Sequence, residues 1–147
     1  MTHQIRKYKD EDLTAILSIW EKASQIAHSF LSEEFMNQER CNLPNIYIPA
    51  ADTWIAEVDG KVAGFISLIG NEVGGLFVNP SFQRLGIGRS LMNKARKLHG
   101  DLVVEVYKEN TIGRVFYKRY GFTQKSRYLH KGSGQEMLRL TYTRFDK

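Results

Sequence analysis

The spacing of apolar positions changes several times along the chain, and each change marks an element. Gln4 to Tyr8 fits a short first strand. Leu13, Ile16, Leu17, Trp20 and Ser24 then recur at helical spacing behind Asp10, Glu11 and Asp12, acidic residues suited to a helix start. Ala27 to Ser32 breaks that pattern, and Ser32 is placed to cap a second helix from Glu33 to about Arg40. Asn42 to Asp52 holds Pro44 and Pro49 and reads as a loop. Two β-prone runs, Thr53 to Val58 and Lys61 to Ile69, flank Asp59-Gly60, a strong short-range hairpin signal. Gly70 to Gly75 reads as a turn leading into a strand at Leu76, Phe77 and Val78. Ile87, Leu91, Ala95 and Leu98 define a third helix that stops at His99-Gly100. Leu102 to Tyr107 is a strand, Asn110 to Tyr120 a helix closed by Gly121, and Phe122 to Lys131 and Gln135 to Phe145 two strands about Gly132-Ser133-Gly134.

The predicted order is β-α-α-β-β-β-α-β-α-β-β, an α/β (α+β) domain. The strands at Leu76 and Leu102 are joined through a helix and should be parallel neighbours, and the hairpins antiparallel.

Composition narrows the setting. With 147 residues, positions 1–147 read as one domain large enough for a full core. The single cysteine, Cys41, lies in a polar run, so no internal disulfide is expected and a reducing, cytoplasmic compartment fits. The first residues lack an apolar signal region, and no apolar run approaches membrane-spanning length. A formal charge of +5 suits an anionic partner. A phosphate-rich cofactor would suffice; nucleic acid is the rival and is not expected, because Lys94, Arg96, Lys97, Lys118 and Arg119 read as solvated helix faces and form no aromatic-basic stripe along the chain.

The chemistry concentrates at Leu76 to Leu91. An apolar strand stops at Asn79-Pro80, and Gln83-Arg84-Leu85-Gly86-Ile87-Gly88-Arg89 opens a helix. Such a turn presents unpaired N–H groups at the positive end of the helix dipole, a natural seat for a diphosphate. Gly86 and Gly88 let backbone approach that guest, and Arg84 and Arg89 add charge beside it. It is no dinucleotide fingerprint, because Leu91 stands where a third glycine is required, and no Gly-Lys-Ser/Thr follows to make a P-loop. A second motif runs from Leu102 to Phe122. On its helix Asn110, Gly113 and Tyr117 share one face, with Ile112, Phe116 and Tyr120 as the adjacent apolar stripe.

Together the two motifs, Gln-Arg-x-Gly-x-Gly and Glu-Val-x-x-x-Asn-x-x-Gly-x-x-Phe-Tyr-x-x-x-Gly-Phe, resemble those of the GCN5-related N-acetyltransferases (GNAT), and the likeness covers nearly the whole chain, most closely the small single-domain bacterial members. The resemblance implies a mixed, mostly antiparallel, twisted sheet of six to seven strands with about four helices. It implies acetyl-CoA as co-substrate, a primary amine as acceptor, with a protein N-terminus and a lysine side chain both open, no metal, and a monomer or homodimer. Leu76, Phe77 and Val78 would pair with the pantetheine arm, Gln83 to Arg89 would hold the pyrophosphate, and Asn110 would hydrogen-bond the pantetheine. Tyr117 would meet the sulfur as general acid. Gly113 departs from the usual alanine, which would loosen its helix by up to about 1 kcal/mol.

The reaction implied is direct attack of the amine on the thioester. At neutral pH, deprotonating a lysine costs roughly 4 kcal/mol and an α-amine far less, so a base matters most for lysine. Glu105, in a strand expected to be covered, is the first candidate; Glu72 is the second, and a water chain the third. The first two helices would wall the acceptor pocket, making His28, Phe30 and Trp54 candidate contacts. The rival functions are a non-catalytic module that binds or senses an acyl-CoA, and an acetyltransferase for small amines of the polyamine or aminoglycoside kind.

Overall fold

The computed structural model describes residues 3–143. Its elements are β1 (His3–Lys7), a 3-10 turn at Asp10–Asp12, α1 (Leu13–Ala27), α2 (Glu33–Asn42), a π-helical segment at Leu43–Tyr47, the short α3 (Ile48–Ala50), β2 (Asp52–Val58), β3 (Lys61–Ile69), β4 (Glu72–Val78), a 3-10 turn at Pro80–Phe82, α4 (Ile87–His99), β5 (Leu102–Tyr107), α5 (Thr111–Tyr120), β6 (Thr123–His130) and β7 (Gln135–Tyr142). The predicted end of the last strand at Phe145 lies outside the described residues. No described helix is long and apolar enough to cross a membrane.

The strands form one seven-stranded sheet in the order β1-β2-β3-β4-β5-β7-β6. Every neighbouring pair is antiparallel except β4 and β5. That pair is parallel because α4 must carry the chain back to the start of the sheet, as the sequence anticipated.

Alternation along the central strands sends apolar residues to both faces. On one face Ala56, Ile66, Val73, Val104 and Leu138 pack with Ile87, Leu91 and Ala95 of α4 and with Tyr117 and Tyr120 of α5. On the other, Ile55 and Phe65 pack against Ile16, Ile19 and Trp20 of α1 and Met36 of α2. Each such fully covered aliphatic side chain contributes on the order of 2 kcal/mol of transfer free energy. Arg6 ties the first strand into this layer. Its guanidinium donates to both oxygens of Asp12 at 2.9 Å and to Glu57 at 2.8 Å.

Local signals worked where they had a stereochemical cause. Asp59 and Gly60 have φ of 51° and 79°, the left-handed pair that a tight hairpin turn requires. Ser32 caps α2 by accepting from the Phe35 N–H at 3.1 Å.

Two segments differ from the sequence reading. Asn42 to Asp52 is not a loop. α2 runs on through the π-helical segment and α3 because Leu43 and Ile48 are buried against α1, and the wide turn closes with an Ile48 N–H bond to the Leu43 carbonyl. The segment Gly70 to Gly75 is also more regular than expected, since β4 begins at Glu72. Ser67 pairs with Gly75 and Leu68 with Val73, so Gly74 is an extra residue, a β-bulge. A bulge bends and twists its strand, and β4 meets β5 only at Glu72–Val103 and Val73–Val104 before the two part. The wedge between them is the feature that positions the site.

Candidate active site

The wedge opens into a cleft of about 1320 Å3. That exceeds the usual 300–1,000 Å3 of a small-molecule pocket and leaves room for two reactants end to end. Three sets of residues line it.

The first is the loop before α4. Arg84 has φ +68° and Gly86 φ +77°, so the backbone curls through the left-handed region twice within three residues. Gly86 is the helix cap and no side chain caps the end. The first helical bond runs from Ser90 N–H to the Gly86 carbonyl at 3.0 Å, which leaves the N–H groups of Ile87, Gly88 and Arg89 outside the helical ladder. The two glycines do different jobs. Gly86 is required by its φ, whereas a Cβ on Gly88 would lie 3.3 Å from the Phe116 ring, so this glycine lets α4 and α5 approach each other. Gln83, Arg84 and Arg89 line the cleft and the Leu85 side chain does not. Arg89 also lies over the Tyr120 ring, 5.2 Å from its centroid.

The second set is the floor between β4 and α5. Leu76, Phe77 and Val78 run beside the wedge. Opposite Val78, Gly64 has no room for a side chain, since a Cβ there would lie 2.8 Å from the Phe77 carbonyl oxygen. Asn110 caps α5, its Oδ1 accepting from the Gly113 N–H at 2.9 Å. That bond fixes which way the amide points, so Nδ2 faces His28 Nε2 at 3.4 Å and donates to it. His28 Nε2 is therefore the acceptor and its proton sits on Nδ1. Burial pushes the His28 imidazole down to about 4, so it is neutral at pH 7. Tyr117 follows two turns further along α5, buried between Phe116 and Phe122. Its phenol makes no described hydrogen bond, and burial lifts it to about 12. The expected apolar stripe of α5 is rotated: Tyr117 and Tyr120 are buried, while Ile112 is exposed on the cleft wall.

The third set lies past the wedge. Glu72 pairs in register with Val103 and so shares a sheet face with Glu105, two residues on. Both line the cleft. Glu105 is half-buried rather than covered: its Oε1 accepts from the Tyr128 hydroxyl at 2.8 Å, and Arg139 across the ladder approaches Oε2 at 3.4 Å. Tyr107 stacks edge-on with His28 and with Phe30, at 5.3 and 5.6 Å between centroids. Phe30 thus braces the wall from behind without lining it.

Trp54 corrects the sequence reading. It belongs to the opposite face of the sheet, packed at the edge of the α4 core beneath the Lys94 ammonium at 4.2 Å, and does not touch the cleft. The sequence reasoning missed two further residues that line the cleft: Glu39, which it placed on the second helix without a role, and Tyr47, whose neighbourhood it took for a loop. Among the described residues no group of acidic, histidine or cysteine side chains could hold a metal ion.

An uncapped amide loop, a wedge beside a strand and a second signature helix at its mouth invite comparison with known proteins. The model of the acetyltransferase (GNAT) domain matches residues 49–124. The chain belongs to the GNAT family. It is an acetyl-CoA-dependent N-acetyltransferase. The relatives include the peptidyl-lysine N-acetyltransferase YiaC of Escherichia coli, 33% identical over 119 residues, covering 80% of this chain and 82% of that one. The peptidyl-lysine N-acetyltransferase YjaB of the same organism is 31% identical over 146 residues, covering 97% of this chain and 98% of the other. The solution structure of apo-form YjaB from Escherichia coli superimposes with a TM-score of 0.87 at 28% identity, over 97% of this chain and 98% of that chain. The GNAT fold expected from the motifs is therefore the fold observed.

Proposed function

We propose that this GNAT protein transfers the acetyl group of acetyl-CoA to the side-chain amine of a lysine in a peptide or protein. The observation that carries the reading is the shared cleft. The buried Tyr117 phenol opens into the same space as the free amides of Ile87, Gly88 and Arg89 on one side and the carboxylates of Glu72 and Glu105 on the other. That YiaC and YjaB are peptidyl-lysine N-acetyltransferases supports lysine over other amines.

In this reading the pyrophosphate of acetyl-CoA sits on the loop from Gln83 to Arg89, and the pantetheine arm lies in the wedge along Leu76, Phe77 and Val78 beside Asn110. The lysine nitrogen attacks the thioester carbonyl. A C–N bond forms, the C–S bond breaks, and N–H groups of β4 beyond the bulge hold the oxyanion. Glu105, directly or through water, takes the proton the ammonium must lose, with Glu72 as the neighbouring carboxylate. Its removal is worth about 4 kcal/mol at neutral pH.

The thiolate leaves towards Tyr117. A thiol of ordinary pKa, about 8.5, would not draw a proton from a phenol at about 12 without help. The same desolvation that lifts the phenol lifts the thiol, however, because both anions lose water. Tyr117 therefore stabilises the leaving sulfur first as a hydrogen-bond donor and then as a proton source.

The test is incubation with acetyl-CoA and N-terminally blocked lysine peptides, following free thiol and locating the acetyl group by mass spectrometry. Thiol release matched by acetylation at Nζ is expected. Acetylation only of free α-amines, or of small amines alone, would overturn the lysine assignment.

A further inference from the structure

The charged residues that line the cleft are segregated by sign. Arg84, Arg89 and Arg119 belong to the α4 and α5 end, and Glu39, Glu72 and Glu105 to the other. Arg139 approaches Glu105, but among the described residues no cation pairs with Glu39 or Glu72. Two carboxylates without a cation partner at one end of the cleft are unexpected in a chain of net charge +5. Glu39 is also held in place, because the Tyr47 hydroxyl from the π-helical segment donates to its Oε2 at 2.5 Å. It is near enough to the Tyr107 phenol to act on it electrostatically.

Around this acidic end the lip is apolar and open. Ile26 of α1, Ile46 of the π-helical segment and Ile69 of β3 are 53%, 56% and 51% exposed, and each lines the cleft. Large aliphatic side chains left in water beside a binding cleft mark a surface that a larger partner covers. A small polyamine would satisfy the carboxylates and leave this rim bare.

We propose that Glu39 is a specificity-determining residue, which selects lysines carried on an extended peptide segment with a second cationic residue close to the target. The target ammonium enters between Glu72 and Glu105, the neighbouring lysine or arginine meets Glu39, and the apolar stems of the peptide lie on Ile26, Ile46 and Ile69. The inference rests on the lysine reading above and goes beyond it in naming the context of the lysine.

The test compares kcat/KM for N-terminally blocked peptides that differ only in the residues flanking one lysine: arginine, glycine or glutamate. The wild-type enzyme should favour the arginine-flanked peptide over the glycine-flanked one by about 5-fold, the scale of one solvent-facing ion pair, and the preference should shrink with added salt. Glu39→Gln should bring the ratio near one, and Glu39→Lys should invert it in favour of the glutamate-flanked peptide. A merely structural role for Glu39 would not produce that inversion. Equal turnover of all three peptides by the wild type would overturn the context assignment while leaving lysine acetylation standing. Turnover of spermidine above every peptide would overturn the peptide assignment, and no turnover of any lysine peptide would overturn both readings.

Discussion

A Cβ on residue 113 would lie 2.6 Å from the side-chain nitrogen of Asn110, so Gly113 is the space into which the Asn110 amide folds. That amide both caps α5 and holds His28. Replacing Asn110 by alanine should cost about 1 kcal/mol of stability through the lost cap, read by chemical denaturation. Coenzyme A affinity should fall by roughly tenfold, the loss of about one hydrogen bond of 1.4 kcal/mol.

Gly113→Ala has the opposite balance. Alanine raises intrinsic helix propensity by up to about 1 kcal/mol, but the new methyl group turns the Asn110 side chain out of its cap. The two effects nearly cancel, so unfolding free energy should stay within about 1 kcal/mol of wild type. The His28 contact is lost all the same, visible as a shift of the His28 ring resonances by NMR.

His28 gives the fold a pH dependence of defined sign. In the unfolded chain its imidazole takes up a proton near 6.5, in the native cleft only near 4. Above pH 6.5 the ring is neutral in both states and contributes nothing. As the pH falls from 6.5 towards 4 the unfolded state binds the extra proton, and native stability drops by up to roughly 3 kcal/mol. Denaturation of wild type and His28→Gln at matched pH should show the wild type losing ground across that window and running parallel to the variant above it.

The Arg6 cluster is a second electrostatic dependency, with its window lower. Hydrogen bonding to Arg6 holds the Asp12 carboxyl below its ordinary value. Its stabilisation is present above the unfolded carboxylate pKa and lost as the pH falls through the lower native one. Asp12 is almost wholly buried, so Asp12→Asn, which leaves the Arg6 guanidinium short of its main partner, should cost about 3 kcal/mol in thermal or denaturant unfolding.

What was legible in the sequence was whatever local stereochemistry or spacing specifies. Asp59-Gly60, the Ser32 cap and the stops at Gly100 and Gly121 depend on a few adjacent atoms, and the two family motifs preserve the spacing that sets Asn110 and Tyr117 on one helix. What was not legible depends on distant packing. Pro44 and Pro49 read as loop signals, yet burial of Leu43 and Ile48 against α1 keeps that segment helical. Gly74 and Gly75 looked like a turn, but they form the bulge that bends β4 away from β5. Trp54 has the composition of a pocket residue, and only strand register sends it to the α4 side. Glu105 was expected to be covered, whereas Tyr128 and Arg139 reach it from strands still to come in the sequence.

The most direct measurement is the turnover number of Tyr117→Phe beside its affinity for coenzyme A. The substitution removes one hydroxyl that has no described partner and leaves the ring packed between Phe116 and Phe122, so folding and cofactor binding should be unchanged. If the phenol receives the departing sulfur, kcat with a lysine peptide should fall by on the order of a hundredfold while coenzyme A binds as before. Wild-type turnover in the variant would contradict the account.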